Sequence, residues 1–145
     1  MYFVDRKKIE ETLVYLEERV RLFGGQHTWT SQLEKAALER LTQMMIDSIL
    51  DVGNAMIDGF IMRDPGSYED IIEILTDELV ISVEMGNHLK QLISYRKVLV
   101  QNYTEINHEE VLEQFTKHSK EIHLFATNVR DYIANELGPV SAFKN

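Results

Sequence analysis

Apolar residues recur at threes and fours along nearly the whole chain, the spacing of one face of an α-helix, and no stretch alternates convincingly as a strand would. The first such stretch runs from about Asp5 to Phe23. Asp5 stands as its N-cap, Ile9, Leu13, Leu16 and Val20 form its stripe, and Gly24-Gly25 stop it. The longest runs from about Ser31 to Met62, with Ser31 and Glu34 as a capping box. It carries two stripes side by side. Leu33, Ala37, Leu41, Met44, Ser48, Val52 and Ala55 make one; Leu38, Met45, Ile49, Met56 and Phe60 make the other. A helix of about 30 residues spans ~45 Å, longer than so small a domain is wide. Its two apolar sides call for two partners, the rest of the chain and a second copy of it.

Asp64-Pro65-Gly66 ends that helix, since neither Pro nor Gly continues one. Ser67 and Asp70 then cap a short amphipathic helix, Tyr68 to Thr76. Ser82 caps a third long helix from Val83 to about Tyr103, with Leu89, Leu92, Ile93 and Val100 inward. Asn107 and Glu110 cap a fourth, about His108 to Asn135, which carries Val111, Leu112, Phe115, Ile122, Phe125, Val129 and Ile133. Gly138-Pro139 cannot extend it. The pattern predicts an all-α bundle of four main helices plus a short one, in a single domain over residues 1–145.

Composition narrows the chemistry. At 145 residues and 44% apolar, the chain can bury a real core, and seven Gly with two Pro argue against a loop-rich or disordered chain. No Cys is present, which excludes disulfides, thiolate zinc sites and cysteine nucleophiles. No apolar run approaches the ~18 residues of a membrane span, and the start has no signal-peptide core, so the expectation is a soluble cytoplasmic protein. The net charge of −9 opposes non-specific binding to nucleic acid; an RNA-directed role needs a local basic cleft.

His27, His88, His108, His118 and His123 show no spacing that gathers a metal on one helical face, and they read as surface or partly buried imidazoles. No metal or cofactor is expected. Gly24-Gly25 follows a helix, so it is not a phosphate loop, and Trp29 reads as a staple against the following helix. Asp47, Asp51, Asn54 and Asp58 share one face of the long helix, either as its solvated side or as a polar seam facing a site or partner. On one continuous helix, Arg96 and Tyr103, seven residues apart, fall within ~20° of one line, with Lys97 beside them. Favourable cations at a helix C-terminus would account for them equally well.

The run Ile49 to Ile57, the turn Asp64 to Asp70, Tyr95-Arg96 through Tyr103 and the closing Glu136 to Lys144 resemble the HepT-like family of the HEPN superfamily, small dimeric helical bundles. The resemblance implies a metal-independent RNA endonuclease, often the toxin of a pair whose antitoxin is a minimal nucleotidyltransferase. The family motif is Arg, four residues, His, one residue, Tyr. Arg96 and Tyr103 match it, and Gln101 stands at the histidine position. By resemblance, Arg96 holds the scissile phosphate and Tyr103 is where the antitoxin attaches AMP. Asp51 and Asn54 match polar positions facing the same cleft, and the clefts of a homodimer meet at its interface. Gln101 cannot accept the proton that imidazole would take from a ribose 2′-hydroxyl, and His108 is the one nearby imidazole in sequence.

Overall fold

The computed structural model describes residues 2–138, so the tail expected from Pro139 onward lies outside the described residues. These form an all-α fold without strands: α1 (Arg6–Gly25), α2 (Gln32–Gly59), α3 (Tyr68–Asp77), α4 (Val83–Ile93), α5 (Arg96–Val100), a 3-10 turn (Tyr103–Glu105), α6 (His108–Lys117) and α7 (Ser119–Leu137). No described helix is long and apolar enough to cross a membrane.

The helix starts follow their caps. Asp5, Ser31, Ser67, Ser82 and Asn107 each accept from the backbone N–H three residues on, which satisfies one of the orphan donors of a helix N-terminus. At α2 the box is complete, and the N–H of Ser31 with the hydroxyl of Thr28 holds the Glu34 carboxyl down at about 2. The ends differ more. The glycines expected to stop α1 complete its last turn, and α2 closes at Gly59, with the Met62 N–H on the Ile57 carbonyl at 2.9 Å.

α2 lies at the centre, packed by α1, α3, α5 and α6. That explains its two stripes. Leu38, Met45, Ile49, Met56 and Phe60 are buried, as are Leu41, Ser48 and Val52, while Leu33 and Ala37 at the N-terminal end stay exposed. One chain thus covers the second stripe fully and the first in part, with Met44 and Ala55 only half-buried. Trp29 stacks on Phe23 of α1, with centroids 5.6 Å apart, and lines a hollow together with Leu33, Ala37 and Leu41 of the following helix. Arg130 of α7 forks onto Glu10 and Glu17 of α1 at 2.8–2.9 Å, closing the bundle on the far side.

Two of the expected long helices are broken. Ser94 turns its hydroxyl back onto the Gln91 carbonyl at 2.6 Å, and the Tyr95 N–H bonds Leu92 rather than Gln91. Such back-bonding bends helices, so α4 ends at Ile93 and α5 starts afresh at Arg96. The second break is at His118, whose backbone leaves helical geometry (φ −108°, ψ 12°) while its carbonyl accepts the first bonds of α7.

Gly53 sets the approach of α3 to α2: a Cβ there would lie 2.4 Å from Cγ2 of buried Ile71. Because the β-branched Ile71 cannot swing aside, Gly53→Val should destabilise the fold by about 1–3 kcal/mol. Urea unfolding followed by circular dichroism checks this, and an unchanged midpoint would contradict so close a contact.

Candidate functional site

The site follows the helix interruption at Ser94-Tyr95. α5 carries Arg96 against α2, where Arg96 Nε donates to Asp47 Oδ1 at 2.9 Å. Only about a quarter of either side chain is exposed, 25% for Arg96 and 22% for Asp47. The guanidinium carbon also sits 4.6 Å from the ring centroid of Tyr68, a cation–π contact at the start of α3. The Asp47 hydrogen bond raises the Arg96 pKa above its ordinary value, so the side chain is a permanent cation. Its two terminal amino groups make no hydrogen bond among the described residues.

Beside Arg96 opens a cleft of about 440 Å³, lined by Ser67, Tyr68, Glu69, Arg96, Lys97 and Gln101, with Asp47 outside it. Gln101 closes α5, where its N–H and that of Asn102 share the Lys97 carbonyl at 2.8 and 3.1 Å. The cleft is lined by two cations and the Glu69 carboxylate, and Asp47 pairs with Arg96 from outside the lining, so its charges are close to balanced. Tyr68 and Ser67 reach it because the 63–70 loop is tied down. Arg63 forks onto the Asp70 carboxylate at 2.8 Å twice, and the same carboxylate accepts the Gly66 N–H at 2.8 Å.

The sequence-marked residues separate in space. Arg96, Lys97 and Gln101 share the cleft. Asp47, rather than Asp51, takes the guanidinium; Asp51 and Asn54 lie exposed farther along the same face of α2. Partial burial, and next the Asp47 carboxylate one turn away, raise the Asp51 pKa. The helical line expected to join Arg96 to Tyr103 is interrupted. α5 stops at Val100, and Tyr103 sits in the 3-10 turn, 65% exposed and outside the lining of the cleft. His108 lines a different, larger cavity of about 550 Å³ with His27 and Lys35, and its Nε2 lies 2.7 Å from Glu39 Oε2. It therefore supplies no base to the Arg96 cleft.

One constellation escaped the sequence reading. His118, taken for a surface or partly buried imidazole, is 3% exposed, and its Nδ1 lies 2.7 Å from Glu121 Oε1. His88 of α4 brings its Nδ1 to 2.5 Å from the other carboxylate oxygen. The signal available was the position of His118 on the apolar stripe, three residues after Phe115 and four before Ile122. Its partner on α4 has no sequence signature.

Comparison with known proteins identifies the family and the fold. Residues 9–129 match the family described as "Ribonuclease HepT-like". The chain is 50% identical over 144 residues to the "Putative RNase YutE" of Bacillus subtilis, covering 99% of this chain and all of that protein. The solved structure of YutE, described as a cytosolic protein, superposes with a TM-score of 0.95. A tri-AMPylated Shewanella oneidensis HEPN toxin in complex with its MNT antitoxin shares the fold at 18% identity and a TM-score of 0.73, over 86% of this chain and 95% of that one. A toxin–antitoxin structure with AMP-PNP shares it at 16% identity and 0.74, over 86% and 96%.

The loop that presents Tyr68 has a pH signature. Arg63 first, and then the Gly66 N–H, lower the Asp70 pKa from 3.8 to about 2. A depressed carboxyl contributes stability above its unfolded pKa and loses it as pH falls through the folded one. Asp70→Asn should therefore lower the urea midpoint at pH 6, with the difference from the parent closing as pH approaches 2. An Asp70 carboxyl that titrates near 3.8 by NMR would contradict the account.

Proposed function

The chain belongs to the HepT-like ribonuclease family of the HEPN superfamily, and on that premise we propose an RNA-directed protein of toxin–antitoxin type, acting as a homodimer in the cytoplasm. The observation that carries the reading is the Arg96 guanidinium. It is fixed by Asp47 through Nε alone, rests against Tyr68, and has its terminal amino groups unpaired among the described residues. A planar fork held this way suits a phosphodiester, which it grips through two oxygens. Lys97 adds a second charge in the same cleft.

Cleavage of RNA without a metal proceeds by attack of the ribose 2′-hydroxyl on its own 3′-phosphate. The O–P bond forms as the 5′-oxygen departs, giving a 2′,3′-cyclic phosphate. The 2′ proton must go to a base. Gln101 stands where the family motif places that base, and a carboxamide does not take up a proton at physiological pH. Loss of a positioned acid–base group costs typically about 10²–10⁴ in rate. On this reading phosphate binding is retained, turnover is slow, and the RNA endonuclease is attenuated.

Tyr103, with its phenol open to solvent, is the acceptor for adenylyl transfer from a cognate nucleotidyltransferase. Asp51 and Asn54, exposed on the same face of α2 as Asp47, are assigned to the RNA or partner surface beside the cleft. The second reading is a degenerate dimer that binds RNA or nucleotide without cutting it, or a protein-interaction module; Gln101 is the observation in its favour.

Labelled RNA incubated with the purified protein separates these readings. Slow Arg96-dependent cleavage to a cyclic phosphate is expected, accelerated by about 10²-fold or more in Gln101→His. Cleavage in Gln101→His alone assigns the parent to the binding class, and binding without cleavage in every variant removes the nuclease reading. Sedimentation at micromolar concentration should give a dimer; a monomer would refute the paired clefts.

A further inference from the structure

We propose that His88, His118 and Glu121 form a binding site for a single first-row transition-metal dication of the zinc class, which clamps α4 to the junction of α6 and α7. Two imidazoles and a carboxylate are the donor set that zinc, cobalt and nickel share. Three donor atoms, one from each residue, lie within 4.8 Å of one another, brought from segments more than thirty residues apart in sequence. Both Nδ1 atoms already face one carboxylate, at 2.5 and 2.7 Å, and the two rings lie 4.5 Å apart. A tetrahedral cation with bonds of about 2.0–2.1 Å separates its donors by roughly 3.3 Å, so shifts under about 1 Å admit it.

His118 occupies a core position on the stripe of α6 and α7, where an apolar side chain packs at lower cost, and it turns its Nδ1 to the Glu121 carboxylate that His88 also faces. The site is also reachable. His88 and Glu121 are 30% and 25% exposed, which leaves one side open for a water as fourth ligand. Its role is structural, since α4 leads directly into the interruption before α5 and Arg96, and the proposal stands whether or not the protein acts on RNA.

Titration of the chelator-treated full chain with Co²⁺ tests this, followed by the visible d–d absorption of four-coordinate cobalt and by thermal unfolding with and without Zn²⁺. The expected result is one equivalent per chain with a raised unfolding midpoint. His88→Ala and Glu121→Gln, at partly exposed positions that spare the core, should each weaken binding by at least about 100-fold. His123→Ala, a surface imidazole two residues from Glu121, should bind as the parent does. Absence of the cobalt band, or binding that survives in both ligand variants, would overturn the proposal and leave a hydrogen-bonded triad.

Discussion

A helix of 28 residues that is apolar on two sides must be wrapped along most of its length, and that constraint organises this molecule. α1, α3, α5 and α6 all pack on α2. The burial of Leu38, Met45, Ile46, Ile49, Met56 and Ile57 to 2% exposure or less makes α2 the axis of the core. At about 25 cal/mol per Å², such burial is the dominant favourable contribution to the fold. What the wrapping leaves open is one polar edge, from Asp47 to Asp58. Asp47 on that edge holds Arg96, and the cleft opens beside Arg96 between α5 and the start of α3.

The ion pair at that meeting point serves orientation more than stability. Asp47 and Arg96 are each about a quarter exposed, so water and salt screen their attraction, and pairs of this kind contribute about 0–1 kcal/mol. The pair does fix the plane and direction of a guanidinium, and Tyr68 closes one face of it. In the proposed reading an incoming phosphate would meet a donor array already oriented, which reduces the ordering cost of binding. In the reading proposed here, the binding half of a nuclease site persists on this framework, while the half that moves a proton has been replaced by the Gln101 carboxamide.

Much of the fold was legible in the residues because caps are local. Asp5, Ser31, Ser67, Ser82 and Asn107 each announced a helix start by a side chain acting within one turn. The breaks at Ser94-Tyr95 and His118 were not legible. Neither holds Gly or Pro, and the apolar phase runs through His118 undisturbed, from Phe115 to Ile122. Periodicity reports which face is buried; it does not report whether the backbone stays helical between buried positions. The same limit applied to the site. Arg96 and the acidic face of α2 were both visible, but the choice of Asp47 over Asp51 depends on how α5 packs on α2, which local spacing does not encode. The line drawn from Arg96 to Tyr103 assumed a helix that stops at Val100. The pairing of His88 with Glu121 joins residues 33 apart across two packed helices and left no trace in local spacing.

The central claim is that an oriented Arg96 makes this cleft a phosphodiester site. Its most direct test is the affinity of a 2′-O-methyl RNA, which cannot be cleaved, measured by fluorescence anisotropy across a salt series for the parent and for Arg96→Ala. The account predicts a loss of at least about tenfold in Arg96→Ala, with the slope of log affinity against log salt falling by about one. Equal affinity and equal slope for the two proteins would contradict it.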